Sequence, residues 1–146
     1  TLLIKVKIKK IIGYTTGVFD LFHIGHLNLI KNCKKYCDYL IVGVTTDQLV
    51  KYKHKKAVIP YKERYKIISS LKYVDKVVPQ SDMDKFKKWK KLKFDVMFVG
   101  SDWRDTLKWK KYESQFKGVG VKIKYFNYTK GTSSTLINNT LLKLRK

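Results

Sequence analysis

The chain has 146 residues, 44% of them apolar and 14% aromatic, which is enough for one compact domain and too few for two. No stretch approaches the roughly 20 apolar residues of a membrane-spanning helix, and the opening residues alternate apolar side chains with lysine, unlike a signal peptide, so we expect a cytoplasmic protein. The formal net charge of +22 favours an anionic partner, which could be nucleic acid, lipid or a phosphorylated small molecule.

Ten secondary-structure elements are predicted. Runs rich in Ile, Val, Phe and Tyr predict strands, and apolar residues at helical spacing predict helices after them. This alternation predicts a single Rossmann-like, doubly wound α/β domain over residues 1–146, with a mainly parallel five-stranded sheet and helices on both faces. The predicted strands are residues 11–15, 39–45, 76–78, 96–100 and 122–128, and the predicted helices are residues 26–36, 61–71, 84–92, 109–116 and 134–143.

The first predicted strand leads into a loop with two glycines and two histidines. Gly17 and Gly25 let a ligand approach the backbone closely, and the next helix starts at about His26, where N–H groups lack helical partners. His23 and His26 can face the same anion there and stabilise charge that builds up on a phosphate. The arrangement is typical of a phosphate site, although its spacing is neither that of a P-loop nor that of GxGxxG.

Several segments along the chain resemble the HxGH cytidylyltransferases, and among them most nearly the glycerol-3-phosphate cytidylyltransferases. Residues 23–26 (HIGH) resemble the signature itself, while residues 60–64 (PYKER) and 72–75 (KYVD) resemble the family's ER and RYVD segments. Residues 100–103 (GSDW) resemble GDDW, and residues 129–135 (TKGTSST) resemble RTEGISTT at the mouth of the last predicted helix. The resemblance extends from about residue 10 to residue 143.

The resemblance implies a reaction. An oxygen of glycerol 3-phosphate would attack the α-phosphorus of CTP in line, and pyrophosphate would leave without a covalent enzyme intermediate. Because both reactants are anionic, the protein must align them and neutralise the transition state. Mg²⁺ is the expected cofactor, carried with CTP and mostly bound by phosphate and water, because the sequence offers no dedicated metal site.

The resemblance also assigns residues. His23, His26 and Lys55 are the catalytic candidates, and Lys53 and Lys85 are assigned to the acceptor phosphate, Lys85 only after a one-residue gap in the match. N-capping remains an alternative role for the last serines, and a solvated surface for the lysines. The residues expected to contact the nucleotide are Gly17, Val18, Phe19, Asp20, His23, Gly25, His26, Lys55, Arg64, Asp102, Trp103, Thr129, Gly131, Thr132, Ser133, Ser134 and Thr135.

Four positions depart from the family pattern. Lys72 and Tyr128 stand where arginines are expected, Lys130 replaces an acidic residue, and Ser101 replaces the first Asp of GDDW. Lysine cannot reproduce a bidentate arginine clamp, and tyrosine loses the charge. The acceptor therefore stays open among choline phosphate, ethanolamine phosphate and other polyol phosphates, and the donor could be ATP with an acceptor like that of FAD synthetases.

A function of another class is a non-catalytic basic module that binds RNA or a membrane surface. Thirty of the 33 basic residues are lysine, whereas proteins that read bases favour arginine, and the motif residues His23, Gly25 and His26 are intact. We therefore expect no nucleic acid partner and no stable membrane association. Cys33 and Cys37 lie in one predicted helix and suit packing in a reducing compartment better than a disulfide or zinc.

A homodimer is expected from the resemblance alone. The predicted strand 39–45 and the predicted helix 26–36 are expected to provide its apolar surface, at the edge of the site. The partners expected overall are CTP, a small phosphorylated alcohol and a second copy of the chain.

Overall fold

The computed structural model describes residues 9–127 and 133–145. Its strands are β1 (Ile12–Gly17), β2 (Tyr39–Thr45), β3 (Lys76–Gln80), β4 (Val96–Gly100) and β5 (Lys122–Phe126). Its α-helices are α1 (Ile24–Lys34), α2 (Asp47–Tyr52), α3 (Tyr61–Ser69), α4 (Lys85–Leu92), α5 (Leu107–Lys117) and α6 (Ser134–Leu144), and a 3₁₀ turn covers Ser101–Trp103. Within these ranges no helix combines the length and the apolar character needed to cross a bilayer.

The five strands form one sheet in the order β3-β2-β1-β4-β5, and every neighbouring pair is parallel. The chain moves outward from β1 to β2 and β3, then returns to the other side of β1 for β4 and β5. A crevice forms where the order reverses, at the carboxyl ends of β1 and β4. The predicted doubly wound, Rossmann-like α/β fold is confirmed.

Two hydrophobic cores cover the two faces of this sheet. Ile30 and Cys33 of α1 and Ile68 of α3 pack on one face, against Leu40 and Val42 of β2. The other face carries an aromatic core in which α4 and α5 pack on the sheet through Phe86, Trp89, Trp109, Tyr112 and Phe116. Because side chains alternate along a strand, both cores form from the same short apolar runs, and helices lie on both faces as predicted.

The connection after β2 contains a helix that the sequence analysis missed. No helix is predicted between residues 45 and 61, yet α2 begins at Asp47, and the Thr46 hydroxyl caps it by accepting the N–H of Leu49 at 3.2 Å. Strand β3 is also longer than predicted and includes Pro79. Proline is tolerated there because β3 is an edge strand.

The predicted pairing surface on residues 39–45 is wrong. Strand β2 lies between β1 and β3, and six of its seven residues are buried. A strand that is paired on both sides and covered on both faces has no surface to offer to a second copy. On α1, in contrast, Ile24 is 52% exposed. The homodimer itself stays a prediction.

Candidate active site

A cavity of about 450 Å³ opens at the carboxyl ends of the strands, over the point where the strand order reverses. Thr16 and Gly17 of β1, Thr45 of β2, Gln80 of β3 and Gly100 of β4 all border it. Parallel strands bring their last residues to one edge of the sheet, so residues far apart in sequence meet here. The volume lies within the usual range for a small-molecule site.

Residues 17–26, the histidine loop, form one wall of this region in a strained conformation. Phe19 and Leu21 have φ values of 54° and 49°, in the left-handed region that L-residues avoid by about 1–2 kcal/mol each. Burial of the Phe19 side chain stabilises the strained backbone conformation of this residue. The Phe19 ring lies so close to Gly17 that a Cβ atom at Gly17 would meet it at 2.9 Å. Gly17 thus allows the loop to fold back onto the end of β1.

Asp20 fastens the histidine loop to two other parts of the chain. Its carboxylate accepts the N–H groups of Val58 at 2.8 Å and Ile59 at 2.9 Å, between α2 and α3. Its carbonyl accepts the hydroxyl of Ser134, the first residue of α6. Asp20 borders the cavity, as predicted for a site residue, and its contacts hold the loop, the α2–α3 connection and α6 together.

Arg64 is completely buried beside the cavity instead of lining it. Its guanidinium donates to the carbonyls of Val18 at 2.8 Å and Thr45 at 2.7 Å, and to the Asp47 carboxylate at 2.7 Å, while its Nε donates to the Ile59 carbonyl at 2.8 Å. With these donors used on protein acceptors, Arg64 acts on a ligand only through the segments that it holds. Its predicted contact with the nucleotide stays a prediction.

The two histidines form a capping box at the start of α1. The Nδ1 of His23 accepts the N–H of Gly25 at 3.0 Å, and the Nδ1 of His26 accepts the N–H of His23 at 3.3 Å. The rings stack with their centroids 3.9 Å apart. Because each Nδ1 accepts a hydrogen bond, the proton of each neutral ring is on Nε2, which leaves two Nε2–H donors for an anion.

Both rings are neutral at physiological pH. Burial, followed by the charge of His23, lowers the pKa of His26 to about 4, against a smaller opposing effect of Asp20. Burial also lowers the pKa of His23. An anion bound beside the rings would favour protonation and reverse these shifts.

Five of the described lysines line the cavity and are together called the lysine side: Lys53, Lys55, Lys56, Lys85 and Lys108. The only carboxylate among the described residues that line the cavity is Asp20, so the lysine charges are not balanced locally. Burial lowers the pKa of Lys85 to about 7, with further lowering by Lys53 and Lys108 and a smaller opposing effect of Asp82. The amine of Lys85 donates to the Thr16 hydroxyl at 3.1 Å. A polyanion would relieve this concentration of positive charge.

The structure brings ten of the predicted site residues together around the cavity and leaves others outside it. Ser133 caps α6, its hydroxyl accepting the N–H of Leu136 at 2.9 Å, as the capping alternative proposed. The residues that line the cavity are Gly17, Val18, Phe19, Asp20, His26, Lys53, Lys55, Lys85, Trp103 and Ser134; His23, Gly25, Arg64, Asp102, Ser133 and Thr135 do not line it, and Thr129, Gly131 and Thr132 lie outside the described residues.

Among the cavity-lining residues that were not predicted are Thr45 and Gln80, which we call the polar floor, and Lys108. Thr45 and Gln80 end neighbouring strands, and the Thr45 hydroxyl donates to the Gln80 Oε1 at 2.7 Å, so the amide of Gln80 is fixed at the base of the cavity. Their position at strand ends could have revealed them, because parallel strand ends share one edge. Lys108 on α5 gave no such signal, since it belongs to none of the matched motifs.

The described residues do not form a metal centre of their own. No group of three or more His, Cys, Asp or Glu side chains in residues 9–127 and 133–145 could hold a metal ion. Asp20, the carboxylate at the cavity, already accepts three backbone N–H groups. The expected Mg²⁺ stays a prediction.

The chain is similar to one protein family over most of its length. The model of the cytidylyltransferase-like family matches residues 14–140. The glycerol-3-phosphate cytidylyltransferase of Staphylococcus aureus (strain NCTC 8325 / PS 47) is 33% identical over 140 residues, which cover 91% of this chain and 95% of that protein. The FAD synthase of Ferroglobus placidus (strain DSM 10642 / AEDII12DO) is also 33% identical, over 115 residues that cover 79% of this chain and 74% of that protein.

A solved structure shares the fold. The lipopolysaccharide core biosynthesis protein of Thermoplasma volcanium GSS1 superposes with a TM-score of 0.71 and 28% sequence identity, over 85% of this chain and all of that chain. The family model spans both the histidine loop and the lysine side, so the match includes both walls of the cavity.

Proposed function

We propose that this chain, which belongs to the cytidylyltransferase-like family of nucleotidyltransferases, transfers CMP from CTP to glycerol 3-phosphate, giving CDP-glycerol and pyrophosphate. One observation carries the proposal: two stacked, neutral histidines stand at the start of α1, and His26 lines a cavity with five lysines and a single carboxylate among its described lining residues. This combination suits the transfer of a nucleotidyl group between two anionic reactants.

The reaction exchanges one phosphorus–oxygen bond for another. A phosphate oxygen of the acceptor forms a bond to the α-phosphorus of CTP, and the bond from that phosphorus to the β-phosphate oxygen breaks. Pyrophosphate leaves with the electron pair, and no protein group becomes covalently attached. An acceptor phosphate is already ionised at neutral pH, so the protein needs no general base to activate it.

The histidine loop would bind the nucleotide phosphates. The Nε2–H donors of His23 and His26 can bond the oxygens on which charge accumulates as the bond to pyrophosphate breaks. A donor placed in advance stabilises such charge without reorganisation, because its own hydrogen bonds hold it in position. The capping box and the stacking of the two rings provide that placement.

The lysine side would bind the acceptor phosphate next to the nucleotide phosphates. Lys53 is half-buried, and burial together with the charges of Lys55 and Lys108 lowers its pKa. Lys85 is 7% exposed and is fixed by its hydrogen bond to Thr16, at the end of β1. These amines would neutralise the repulsion between acceptor and donor, and Lys55 would reach the nucleotide from the same wall.

A second candidate keeps the chemistry and replaces CTP with ATP and the acceptor with a flavin phosphate. The identity of the FAD synthase relative, equal to that of the cytidylyltransferase relative, supports this candidate. The greater coverage by the glycerol-3-phosphate cytidylyltransferase favours CTP and glycerol 3-phosphate. We also propose that the active form is a homodimer, which a mass measurement in solution would test.

The test is pyrophosphate release in the presence of Mg²⁺, with CTP or ATP against glycerol 3-phosphate, choline phosphate and FMN. We expect release with CTP and glycerol 3-phosphate, and its loss in His26→Asn, which keeps an acceptor near the Nδ1 position and removes the Nε2–H donor. Release only with ATP and FMN would establish the second candidate. No release with any pair from a folded protein would contradict nucleotidyl transfer to these acceptors.

A further inference from the structure

A second cavity of about 450 Å³ lies against the main one, between the start of α4 and one face of α5. Lys108 and Met83 border both cavities, so the two form one continuous surface. Lys111, Tyr112 and Gln115 continue the second cavity along α5. We call this second cavity the α5 groove. Because Lys108 marks the junction, a ligand that reaches Lys108 from the main cavity can extend into the groove.

The α5 groove is a fixed feature of the fold. Lys108, Lys111, Tyr112 and Gln115 follow one another at spacings of three, one and three residues, which places them on one face of the helix. Thr106 caps this helix, buried Trp109 and Phe116 anchor it in the aromatic core, and the Tyr112 ring packs against that core next to the groove. The Tyr112 hydroxyl donates to the Met83 carbonyl at 3.1 Å, joining α5 to the segment before α4.

The charges at the junction favour a phosphate. None of the ion pairs found among residues 9–127 and 133–145 involves Lys53, Lys85 or Lys108. Burial followed by the charges of neighbouring lysines, including Lys108, lowers the pKa of both Lys53 and Lys85, so the three amines act on one region. A phosphate dianion placed among them would relieve repulsion that the free protein contains.

The α5 groove itself has a different chemistry. Asp84 and Gln115 provide hydrogen-bond acceptors, and Lys111 and Gln115 provide donors. A hydroxyl group both donates and accepts, so a polyol matches this mixture better than a second phosphate does. A quaternary amine would gain little, because Lys108 and Lys111 would repel it and the Asp84 carboxylate already accepts the N–H of Lys87 at 3.0 Å.

We propose that Lys108 completes the acceptor-phosphate subsite and that the α5 groove binds the hydroxylated chain of an acceptor longer than glycerol 3-phosphate. This inference rests on the proposed nucleotidyl transfer and adds polyol phosphates of four or five carbons to glycerol 3-phosphate as acceptors. Lys111 and Gln115 are then specificity-determining residues outside the family motifs seen in the sequence, and Lys108 is an acceptor-binding residue outside them.

The experiment compares kcat/KM for ribitol 5-phosphate with kcat/KM for glycerol 3-phosphate, using CTP and Mg²⁺. We expect the ratio to favour ribitol 5-phosphate, and Lys111→Ala combined with Gln115→Ala to lower it about tenfold through the loss of two hydrogen bonds. Lys108→Ala is expected to raise the KM for both acceptors about tenfold. Lys110→Ala is the matched control, since this exposed lysine on the same helix borders neither cavity.

Two outcomes would overturn the inference. One is a wild-type protein that uses glycerol 3-phosphate and leaves ribitol 5-phosphate unreacted, which would leave the proposed function standing. The other is a groove variant whose ratio equals that of Lys110→Ala. If no acceptor yields pyrophosphate, the proposed function fails separately. The ratio of the calorimetric dissociation constants of the two polyol phosphates then replaces the kinetic ratio, and its change in the groove variants decides the inference.

Discussion

The histidine loop is held by a dense set of internal hydrogen bonds, whereas the lysine side consists of amines that repel one another. Asp20 bonds the loop to the α2–α3 connection and to α6. Arg64 bonds it to β2 through the carbonyls of Val18 and Thr45. On the lysine side, Lys55 and Lys56 are exposed, and Lys85 contacts Thr16. The difference indicates that the loop is organised before any ligand arrives, while the lysine side is completed electrostatically by the ligand.

Removing a donor from the organised side should produce the largest effect. His26→Asn keeps a capping acceptor and removes the Nε2–H donor, so kcat should fall about 10²–10³-fold while the thermal midpoint changes little. His26→Gln, which places an amide near the Nε2 position, should recover part of the loss. Steady-state pyrophosphate release checks both. Equal kcat in the Asn variant and the wild type would show that the loop does not act on the reacting phosphate.

The histidine loop is held in place by Arg64, so replacing Arg64 should lower the stability of the protein. Arg64→Met leaves the buried carbonyls of Val18, Thr45 and Ile59 without this donor, so the free energy of unfolding should fall by about 2–4 kcal/mol. Urea denaturation measures it. Arg104→Met is the control, because Arg104 is exposed and stacks on the Tyr125 ring, and its loss should change stability by less than about 1 kcal/mol.

On the lysine side, a substitution should change binding with little effect on stability. Lys53→Ala should raise the KM for the acceptor about tenfold, because one charge-assisted contact to phosphate is lost. The effect should shrink as salt is added, since the amine is only half-buried. Lys51→Ala, an exposed neighbour that does not line the cavity, serves as the control. A matching rise in the control would assign the effect to net charge alone.

The smallest predicted effect is the uptake of about one proton when a nucleotide or phosphate binds. The pKa of Lys85 is about 7 in the free protein and should return toward its ordinary value of 10.5 beside an anion, so uptake should occur between those pH values. Calorimetry at pH 8.5 in buffers of different ionisation enthalpy measures it. Lys85→Met should abolish the uptake, and an unchanged uptake in this variant would place the proton on another group.

Lys85 also makes the stability of the ligand-free protein depend on pH. The folded-state pKa of Lys85 is lower than the unfolded value, so the unfolded chain binds more protons between about pH 7 and 10.5. The contribution of Lys85 to the free energy of unfolding therefore rises with pH across this window. Lys85→Met should remove that slope, which urea denaturation at several pH values would show.

Several features were predictable because they depend on neighbouring residues. Apolar runs predicted all five strands, and the residues after β1 predicted a helix whose start lies close to that of α1. The short helix α2 was not predicted because the lysines along residues 51–56 interrupt its apolar spacing. Its only sequence signal is the capping hydroxyl of Thr46. The prediction that β2 forms a pairing surface was wrong because an apolar run looks the same whether it is covered by a helix or by a second copy.

The amino-acid sequence by itself determined the fold class, the position of the histidine loop and the family, since each depends on residue types at short spacing. Only the tertiary structure decided that Arg64 is a buried support, that Thr45 and Gln80 form a polar floor, and that Lys108 joins the lysine side. The contact between Asp20 and Ser134 links residues 114 positions apart. Such contacts depend on how strands and helices pack, and packing is settled by the whole core at once.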